Sequence, residues 1–309
     1  MLEIRGLTKI EENKRIIGDL TMIVEDGSIY GIAGGQSEAL TGLCRILAGL
    51  ADWDEGKIYV DSQEWDPQKK ETGIVGYVPA VFGSYGDMTV EEYMEYYAGL
   101  YNISGEESST RQRQLLEWSG LSGRQEDPAD ALKMADKRAL ALAACCLTDP
   151  GIFVLDDFLT GLQTGDREKL ASLLLKLRDR GKAIIITTRV LGGLRGLNAV
   201  IGIIQEGKML LQGTIEEIIG QISRANPLEV VVEGKSEEAV AVLKDEPSVT
   251  SISIEGDRIL AGFEGNQEQQ VEILQNMVSR GVPVVSFQRR KSDLEAIFWK
   301  VTNGKEDVV

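Results

Sequence analysis

The chain opens with two stretches in which apolar and polar side chains alternate, residues 2–7 and 20–25. Such alternation is typical of half-buried antiparallel strands. A more continuous apolar stretch, residues 29–33, leads into a glycine pair at 34–35, and apolar residues then recur at helical spacing over residues 40–50. The pattern predicts a strand, a glycine-rich loop and a helix in that order.

The pattern becomes helical between about residues 87 and 147. Thr89 and Glu92 have the spacing of a capping box, in which a hydroxyl and a carboxylate satisfy the first free N–H groups of a helix. Two further helices are predicted near residues 110–118 and 137–147.

Three continuous apolar stretches follow, at residues 152–155, 183–187 and 200–204, with an amphipathic helix predicted over 167–178 between the first two. Apolar strands that do not alternate and are joined by helices indicate a parallel sheet covered on both faces. The first two-thirds of the chain therefore predict an α/β fold.

The composition shifts near residues 223–227. After this point the pattern predicts a strand, a helix over 236–244, a hairpin, a helix over 267–279 and a strand. This is the βαββαβ order of a small α+β ferredoxin-like unit. We therefore predict two domains, 1–224 and 225–309, with a helical subdomain at about 82–136 of the first. A last amphipathic helix is predicted over 293–301.

The amino-acid composition excludes several kinds of catalytic and binding site. The 309 residues include no histidine, which excludes Ser-His-Asp catalysis, histidine-ligated zinc and a histidine general base. The net charge of −16 argues against nucleic-acid binding, which needs a basic face. The three cysteines are expected to be reduced and buried. Without a signal-peptide pattern or an apolar stretch of membrane-spanning length, the chain is predicted to be cytosolic.

The loop after the predicted strand 29–33 has the position of a phosphate-binding loop, whose pattern is G-x-x-x-x-G-K-[ST]. The residues present are Gly34, Gly35, Gln36, Ser37, Glu38, Ala39, Leu40 and Thr41. Leu40 cannot neutralise phosphate, and Ala39 replaces the second glycine. A carboxylate at Glu38 about 4 Å from a phosphate charge would cost on the order of 4 kcal/mol at an effective dielectric constant of about 20. The loop is therefore predicted to be structural, with Thr41 retaining the hydroxyl that would meet Mg²⁺.

Short motifs along the whole chain resemble those of ABC transporter nucleotide-binding subunits. They lie at residues 27–34, 47–50, 76–79, 88–91, 148–150, 154–157, 160–162 and 206–208. The C-terminal unit, with its ending at 293–302, resembles the appendage of bacterial exporter ATPases whose membrane subunits are separate chains. The resemblance implies an ABC-type P-loop NTPase-like fold, with a mixed sheet and a helical subdomain. It also implies a peripheral position on the inner face of the membrane and head-to-tail pairing of two subunits around ATP.

The resemblance also implies which positions would contact ATP, and most carry other residue types. Glu11, next to Ile10, stands where an aromatic ring would stack on adenine. Ala80 replaces the glutamine that contacts Mg²⁺. The four residues of the S-G-G-Q signature are replaced by Lys133, Met134, Ala135 and Asp136. Asp157 replaces the catalytic glutamate, Gln163 replaces an aspartate, and Arg189 replaces the switch histidine.

Asp156 remains at the end of an apolar strand, where a Mg²⁺ ligand would lie. With Thr41 it would form half of a weak metal site. The alternative, weighted equally, is that Asp156 only caps backbone N–H groups.

Aromatic residues concentrate in the segment that, by the resemblance, would face a membrane subunit. Phe82, Tyr85 and Met88 are the candidates for this interface. Tyr93 and Tyr97, four residues apart on a predicted helix, are expected instead to pack that helix onto its own subdomain.

The leading hypothesis is a degenerate subunit of a bacterial ABC exporter that docks on a polytopic membrane subunit and does not hydrolyse ATP. It would pair with a second copy or with another ABC ATPase subunit. One alternative is a slow ATPase that uses Asp157 and Thr41 with a partner's residues, and only this alternative requires ATP and Mg²⁺. Another is a soluble regulatory pseudo-ATPase.

Overall fold

The computed structural model describes residues 1–34, 37–69, 73–83, 87–189, 191–194, 196–218, 221 and 227–290. The chain divides into two compact units, Met1–Thr214 and Ile215–Lys300. Residues 222–226, where the composition shifts, lie outside the described residues, so the boundary near 224 stays a prediction.

The strands of the larger unit form two sheets. They are β1 (Leu2–Glu11), β2 (Lys14–Val24), β3 (Ile29–Gly34), β4 (Glu55–Val60), β5 (Gln63–Glu64), β6 (Val75–Val78), β7 (Ile152–Leu155), β8 (Ala183–Thr188), β9 (Val200–Gln205) and β10 (Lys208–Gly213). One sheet is antiparallel, in the order β2-β1-β4-β5. The other has the order β10-β9-β3-β8-β7-β6 and is parallel except for β10. The predicted buried parallel sheet is confirmed, because β3, β7 and β8 are buried along their whole length.

The helices of the larger unit are α1 (Ser37–Leu47), α2 (Val90–Leu100), α3 (Gly105–Trp118), α4 (Met134–Cys145) and α5 (Thr164–Asp179). Helix α1 shares a hydrophobic core with β1, β2 and the parallel sheet. Helices α2, α3 and α4 pack around a separate core, which forms a helical subdomain. The predicted capping box begins α2, since Thr89 Oγ1 accepts from the Glu92 N–H and the Glu92 carboxylate accepts from the Thr89 N–H.

The topology brings several loops to one edge of the parallel sheet. Strands β3, β8 and β7 are direct neighbours and run in the same direction. Their carboxyl ends therefore place the start of α1, the residues after β7 and the residues after β8 side by side. Ligand sites of parallel α/β sheets lie at such carboxyl ends.

The smaller unit contains β11 (Leu228–Val232), α6 (Ser236–Lys244), β12 (Val249–Glu255), β13 (Arg258–Phe263), α7 (Gln267–Ser279) and β14 (Val284–Arg289). These elements follow in the predicted order, and both helices have the predicted bounds. The sheet is antiparallel, in the order β12-β13-β11-β14. Phe263, Ile273 and Met277 are fully buried in its core. The helix predicted over 293–301 lies outside the described residues.

No helix in the described part of the chain is long and apolar enough to cross a bilayer. All three cysteines are free and buried, as predicted from their number and spacing.

Candidate functional site

The glycine at the end of β3 is required by strand packing. A Cβ atom on Gly34 would lie 2.7 Å from the carbonyl oxygen of Ile204 in the neighbouring strand β9. This close approach accounts for glycine at position 34 without any phosphate. Gly35 and Gln36 lie outside the described residues, and α1 begins at Ser37.

The side chain at the lysine position of the phosphate-loop pattern lies in the hydrophobic core. Leu40 is 3% exposed and Ala39 is 1% exposed. Both belong to the core that includes Ile17 and Leu43. Leu40 therefore contributes apolar packing between α1 and the sheets, in a position where an ammonium group would be desolvated.

Glu38 lies in the first turn of α1, where the positive end of the helix dipole favours negative charge. Its carboxylate pairs with Lys14 Nζ at 3.3 Å, and both side chains are about two-thirds exposed. Such an exposed pair contributes little to stability. It nevertheless puts a carboxylate of the chain itself at the end of α1 that would otherwise attract an anion.

Asp156 follows β7 and is 3% exposed. Its Oδ1 accepts hydrogen bonds from Thr187 Oγ1 at 2.8 Å and from Thr41 Oγ1 at 3.4 Å. Burial raises the pKa of this carboxyl, and the two hydroxyl donors oppose that rise. The structure thus brings together Thr41 and Asp156, the two residues named for a metal site. Within the described residues, no group of three or more Cys, Asp or Glu side chains is arranged to hold a metal ion.

Thr187, which the sequence analysis did not single out, connects the residues of this region. It lies fully buried in β8 and donates to Asp156. The same hydroxyl accepts from the Asp157 N–H at 3.1 Å and from Cys44 Sγ at 3.6 Å. The signal in the sequence is two threonines that end an otherwise apolar strand.

Asp157 is satisfied by residues of its own chain. Its backbone is left-handed, with φ of 48°. One carboxylate oxygen accepts from Thr160 Oγ1 at 2.5 Å, and the other accepts from Arg189 Nη2 at 3.4 Å. Thr160 Oγ1 also lies 3.1 Å from Thr188 Oγ1. The loops after β7 and β8 are thereby tied to each other.

The residues at the signature position begin helix α4. Met134 is 51% exposed, Ala135 is buried, and Lys133 precedes the helix without a side-chain cap. Asp136 accepts from Arg124 Nη1 and from Lys169 Nζ, each at 2.8 Å. Its carboxylate therefore holds the start of α4 to α5.

The other positions that the resemblance assigns to ATP contact take no part in the hydrogen bonds described above. Ile10 is 42% exposed, and the neighbouring Glu11 is also exposed, at the end of β1. Ala80 is half-buried after β6, and Gln163 is exposed before α5. Gln163 makes no side-chain cap to that helix.

Two of the three candidate interface residues are described. Phe82 is half-buried and stacks on Tyr93, with ring centroids 5.2 Å apart, while Lys137 Nζ lies 5.8 Å from its ring centroid. Met88 is also half-buried. Tyr85 lies outside the described residues. Tyr93 is 3% exposed in the subdomain core and contacts Tyr97 at 4.8 Å, the packing expected for these two rings.

A solved structure entitled "Structure of ATP binding subunit of ABC transporter" superposes on 72% of this chain and 93% of its own, with a TM-score of 0.63 and 20% sequence identity. The larger unit has the ATP-binding cassette fold. The family model described as ABC transporter matches residues 17–160 of this cassette.

Two curated relatives are similar along almost the whole chain. Linearmycin resistance ATP-binding protein LnrL of Bacillus subtilis is 21% identical and covers 98% of both chains. Nod factor export ATP-binding protein I of Burkholderia orbicola is 25% identical over 99% of this chain and 97% of its own. The similarity therefore extends beyond the cassette into the smaller unit.

Proposed function

We propose that the chain is a non-hydrolysing ABC subunit of an exporter complex, docked on a polytopic membrane subunit at the inner face of the cell membrane. The cassette fold and the similarity to a Nod factor export ATP-binding protein support a transport role. The observation that carries the absence of hydrolysis is the burial of Leu40 in the core, at the position of the phosphate-binding lysine.

The residues present do not fit bound Mg-ATP. Leu40 supplies no charge to a phosphate, and Glu38 adds a carboxylate at the start of α1. Ile10 and Glu11 supply no aromatic ring for adenine. Asp156 Oδ1 already accepts hydrogen bonds from Thr187 and Thr41, and the two carboxylate oxygens of Asp157 accept from Thr160 and Arg189.

Pairing would not restore such a site. In the head-to-tail arrangement that the resemblance implies, each nucleotide lies between one subunit's phosphate loop and the other's signature. This chain carries altered residues in both elements, so a homodimer and a heterodimer would each contain two altered sites. We include in the proposal that residues 225–309 are the ferredoxin-like appendage, which the strand order β12-β13-β11-β14 supports.

The second candidate function is slow ATP hydrolysis with a partner subunit. The contact that favours it is the 3.4 Å approach of Thr41 Oγ1 to Asp156 Oδ1, because a hydroxyl and a carboxylate are the two Mg²⁺ ligands of a P-loop site.

A phosphate-release assay on the full-length chain, with Mg²⁺ and ATP, separates the two candidates. It is run on the chain alone and on membranes that contain its native complex. We expect no release that depends on this chain. Asp156→Asn is the diagnostic variant, and Asp149→Asn, at an exposed carboxylate paired with Lys182, is its matched control. Turnover that Asp156→Asn abolishes and Asp149→Asn preserves would establish the slow ATPase.

A further inference from the structure

A cavity of about 600 Å³ lies between helix α3 and the end of helix α5. Its wall includes Arg111 and Trp118 of α3, Leu177 of α5, and Arg180, which directly follows α5. No position assigned above to ATP or to a membrane subunit is among the described residues that line it. The volume falls within the range of small-molecule sites, which combine apolar walls with a few polar groups.

Two arginines border this cavity and keep hydrogen-bond donors available. Arg111 is half-buried, and its Nη2 donates to the Cys146 carbonyl oxygen at 3.3 Å. Its Nε and Nη1 have no acceptor in the described part of the chain. Arg180 is exposed, and its guanidinium group pairs with no carboxylate among the described residues.

The two guanidinium groups lie close to the same residue. Arg111 reaches the Cys146 carbonyl directly. Burial raises the pKa of the Cys146 thiol, and the positive charges of Arg180 and Lys182 act against that rise, so both of these side chains are also near Cys146. Positive charge is therefore concentrated on one part of the cavity wall.

The carboxylates of the wall do not neutralise these arginines. Asp149 is exposed and pairs with Lys182 Nζ at 2.9 Å. Glu106, in the first turn of α3, is exposed and forms no ion pair within the described residues. Trp118 Nε1 is buried and also lacks an acceptor in the described part of the chain. Since buried polar groups are normally hydrogen-bonded, the wall contains unused donors that a ligand with acceptor oxygens would satisfy.

We propose that this cavity binds a small aromatic carboxylate. The carboxylate would accept from the free N–H groups of Arg111 and Arg180, because planar guanidinium groups match its two oxygens. The aromatic body would contact the Trp118 ring and the Leu177 side chain. This inference does not rest on the proposed transport role.

The acidic residues of the wall decide between two kinds of anion. Glu106 and Asp149 repel every negative charge that enters the cavity. A singly charged carboxylate meets less of this repulsion than a doubly charged phosphate ester, while both would gain from the arginines. The wall therefore favours the carboxylate.

The test uses the full-length chain and three probes of similar size, 2-naphthoate, the neutral 2-naphthamide and 2-naphthyl phosphate, with binding followed by ligand-observed NMR titration at pH 7. We expect 2-naphthoate to bind at one saturable site at least about tenfold more tightly than 2-naphthamide, the difference that one charge-assisted hydrogen bond supplies. Equal binding of these two probes, saturable binding of neither, or tighter binding of 2-naphthyl phosphate than of 2-naphthoate would overturn the proposal.

Two variants locate the binding. Arg180→Gln removes an exposed guanidinium that holds no other described residue, so the fold should be unaffected and the preference for 2-naphthoate should fall at least about fivefold. Glu106→Gln removes a repelling charge and should tighten 2-naphthoate binding without changing that of 2-naphthamide. The matched control is Arg113→Gln, at an exposed arginine of α3 that does not line this cavity.

A preference for 2-naphthoate that survives Arg180→Gln, or that Arg113→Gln reduces equally, contradicts the assignment. These results are distinguishable from a failure of the proposed function. ATP turnover in the phosphate-release assay would remove the non-hydrolysing role and leave this site intact. A non-hydrolysing chain that does not prefer 2-naphthoate would remove only this site.

Discussion

Two regions of the cassette differ in the groups that contact their charged side chains. At the carboxyl ends of β3, β7 and β8, the carboxylates of Glu38, Asp156 and Asp157 all interact with residues of the same chain. In a cavity beside α2 and α4, the guanidinium of Arg138, which is 9% exposed, donates to the carbonyl oxygens of Phe158 and Thr160.

This difference bears on whether the polar groups of each region are available to a ligand. A nucleotide or metal site keeps donors and acceptors available for the ligand. In the first region, Asp156 Oδ1 and both carboxylate oxygens of Asp157 already accept hydrogen bonds from the same chain. In the second region, the Arg138 side chain is held by two carbonyl oxygens of the loop after β7, which accept from its Nη1. Under the proposed function, we expect the first region to act as a structural part of the fold.

The largest expected effect comes from Leu40→Lys, which restores the lysine of the phosphate-loop pattern. Because Leu40 lies in the core, the new ammonium group would be buried without a partner. We expect a loss of about 3 kcal/mol or more in unfolding free energy, and no gain of ATP binding. Urea unfolding and an ATP titration measure the two quantities. Leu50→Lys, at a 58% exposed leucine just after α1, should change stability by less than about 0.5 kcal/mol. A stable Leu40→Lys protein that binds ATP would refute the structural role.

The next effect concerns Thr187, whose hydroxyl serves both Asp156 and the Asp157 N–H. Thr187→Val keeps the shape and leaves both groups buried with a lost partner, so we expect about 2–3 kcal/mol of destabilisation in denaturant unfolding. Thr187→Ser keeps the hydroxyl and loses one methyl group, which should cost only about 1 kcal/mol. Equal losses for valine and serine would contradict the hydrogen-bonding role.

A smaller effect is expected in the pH dependence of the unfolding free energy, which distinguishes a structural Asp156 from a metal-binding one. Since burial raises the folded-state pKa, the unfolded chain ionises first as the pH rises above about 4, and stability is then lost until the folded-state pKa is passed. Asp156→Asn removes this titration, and its Oδ1 can accept both hydroxyl hydrogen bonds. At pH 7 we expect the variant to be as stable as the wild type or about 1 kcal/mol more stable. Unfolding curves between pH 4 and 8 test this, and a variant that is less stable at pH 7 would argue against it.

The smallest effect is expected for Arg189→Ala. The Arg189 side chain is 57% exposed and its contact with Asp157 measures 3.4 Å. Exposed pairs of this kind contribute less than about 1 kcal/mol. Thermal unfolding should therefore change little, and raising the salt concentration should reduce even that difference. A loss of more than about 2 kcal/mol would mean that the loops after β7 and β8 depend on this pair.

Local signals in the sequence were sufficient for much of the fold. The Thr89–Glu92 capping box and the bounds of α6 and α7 follow from patterns a few residues long. The parallel sheet follows from continuous apolar strands. The identity of Leu40 excluded a phosphate-binding charge, but its burial depends on packing against strands distant in the sequence.

The hydrogen bonds of both regions could not be predicted from the sequence, because they join residues that are distant along the chain. Thr187 reaches Asp156 across 31 positions, and Thr41 reaches the same carboxylate across 115. Arg138 occupies a helix position that could equally face solvent, and only the tertiary fold places it against the Phe158 and Thr160 carbonyls. Hydrogen bonds between such distant residues leave no periodic signal.

The most direct test of the central claim is calorimetric titration of the purified full-length chain with Mg-ATP. If the nucleotide face is satisfied by its own residues, no saturable heat should appear at millimolar nucleotide, and Asp156→Asn should give the same flat titration. Micromolar binding of Mg-ATP that Asp156→Asn weakens would contradict the account.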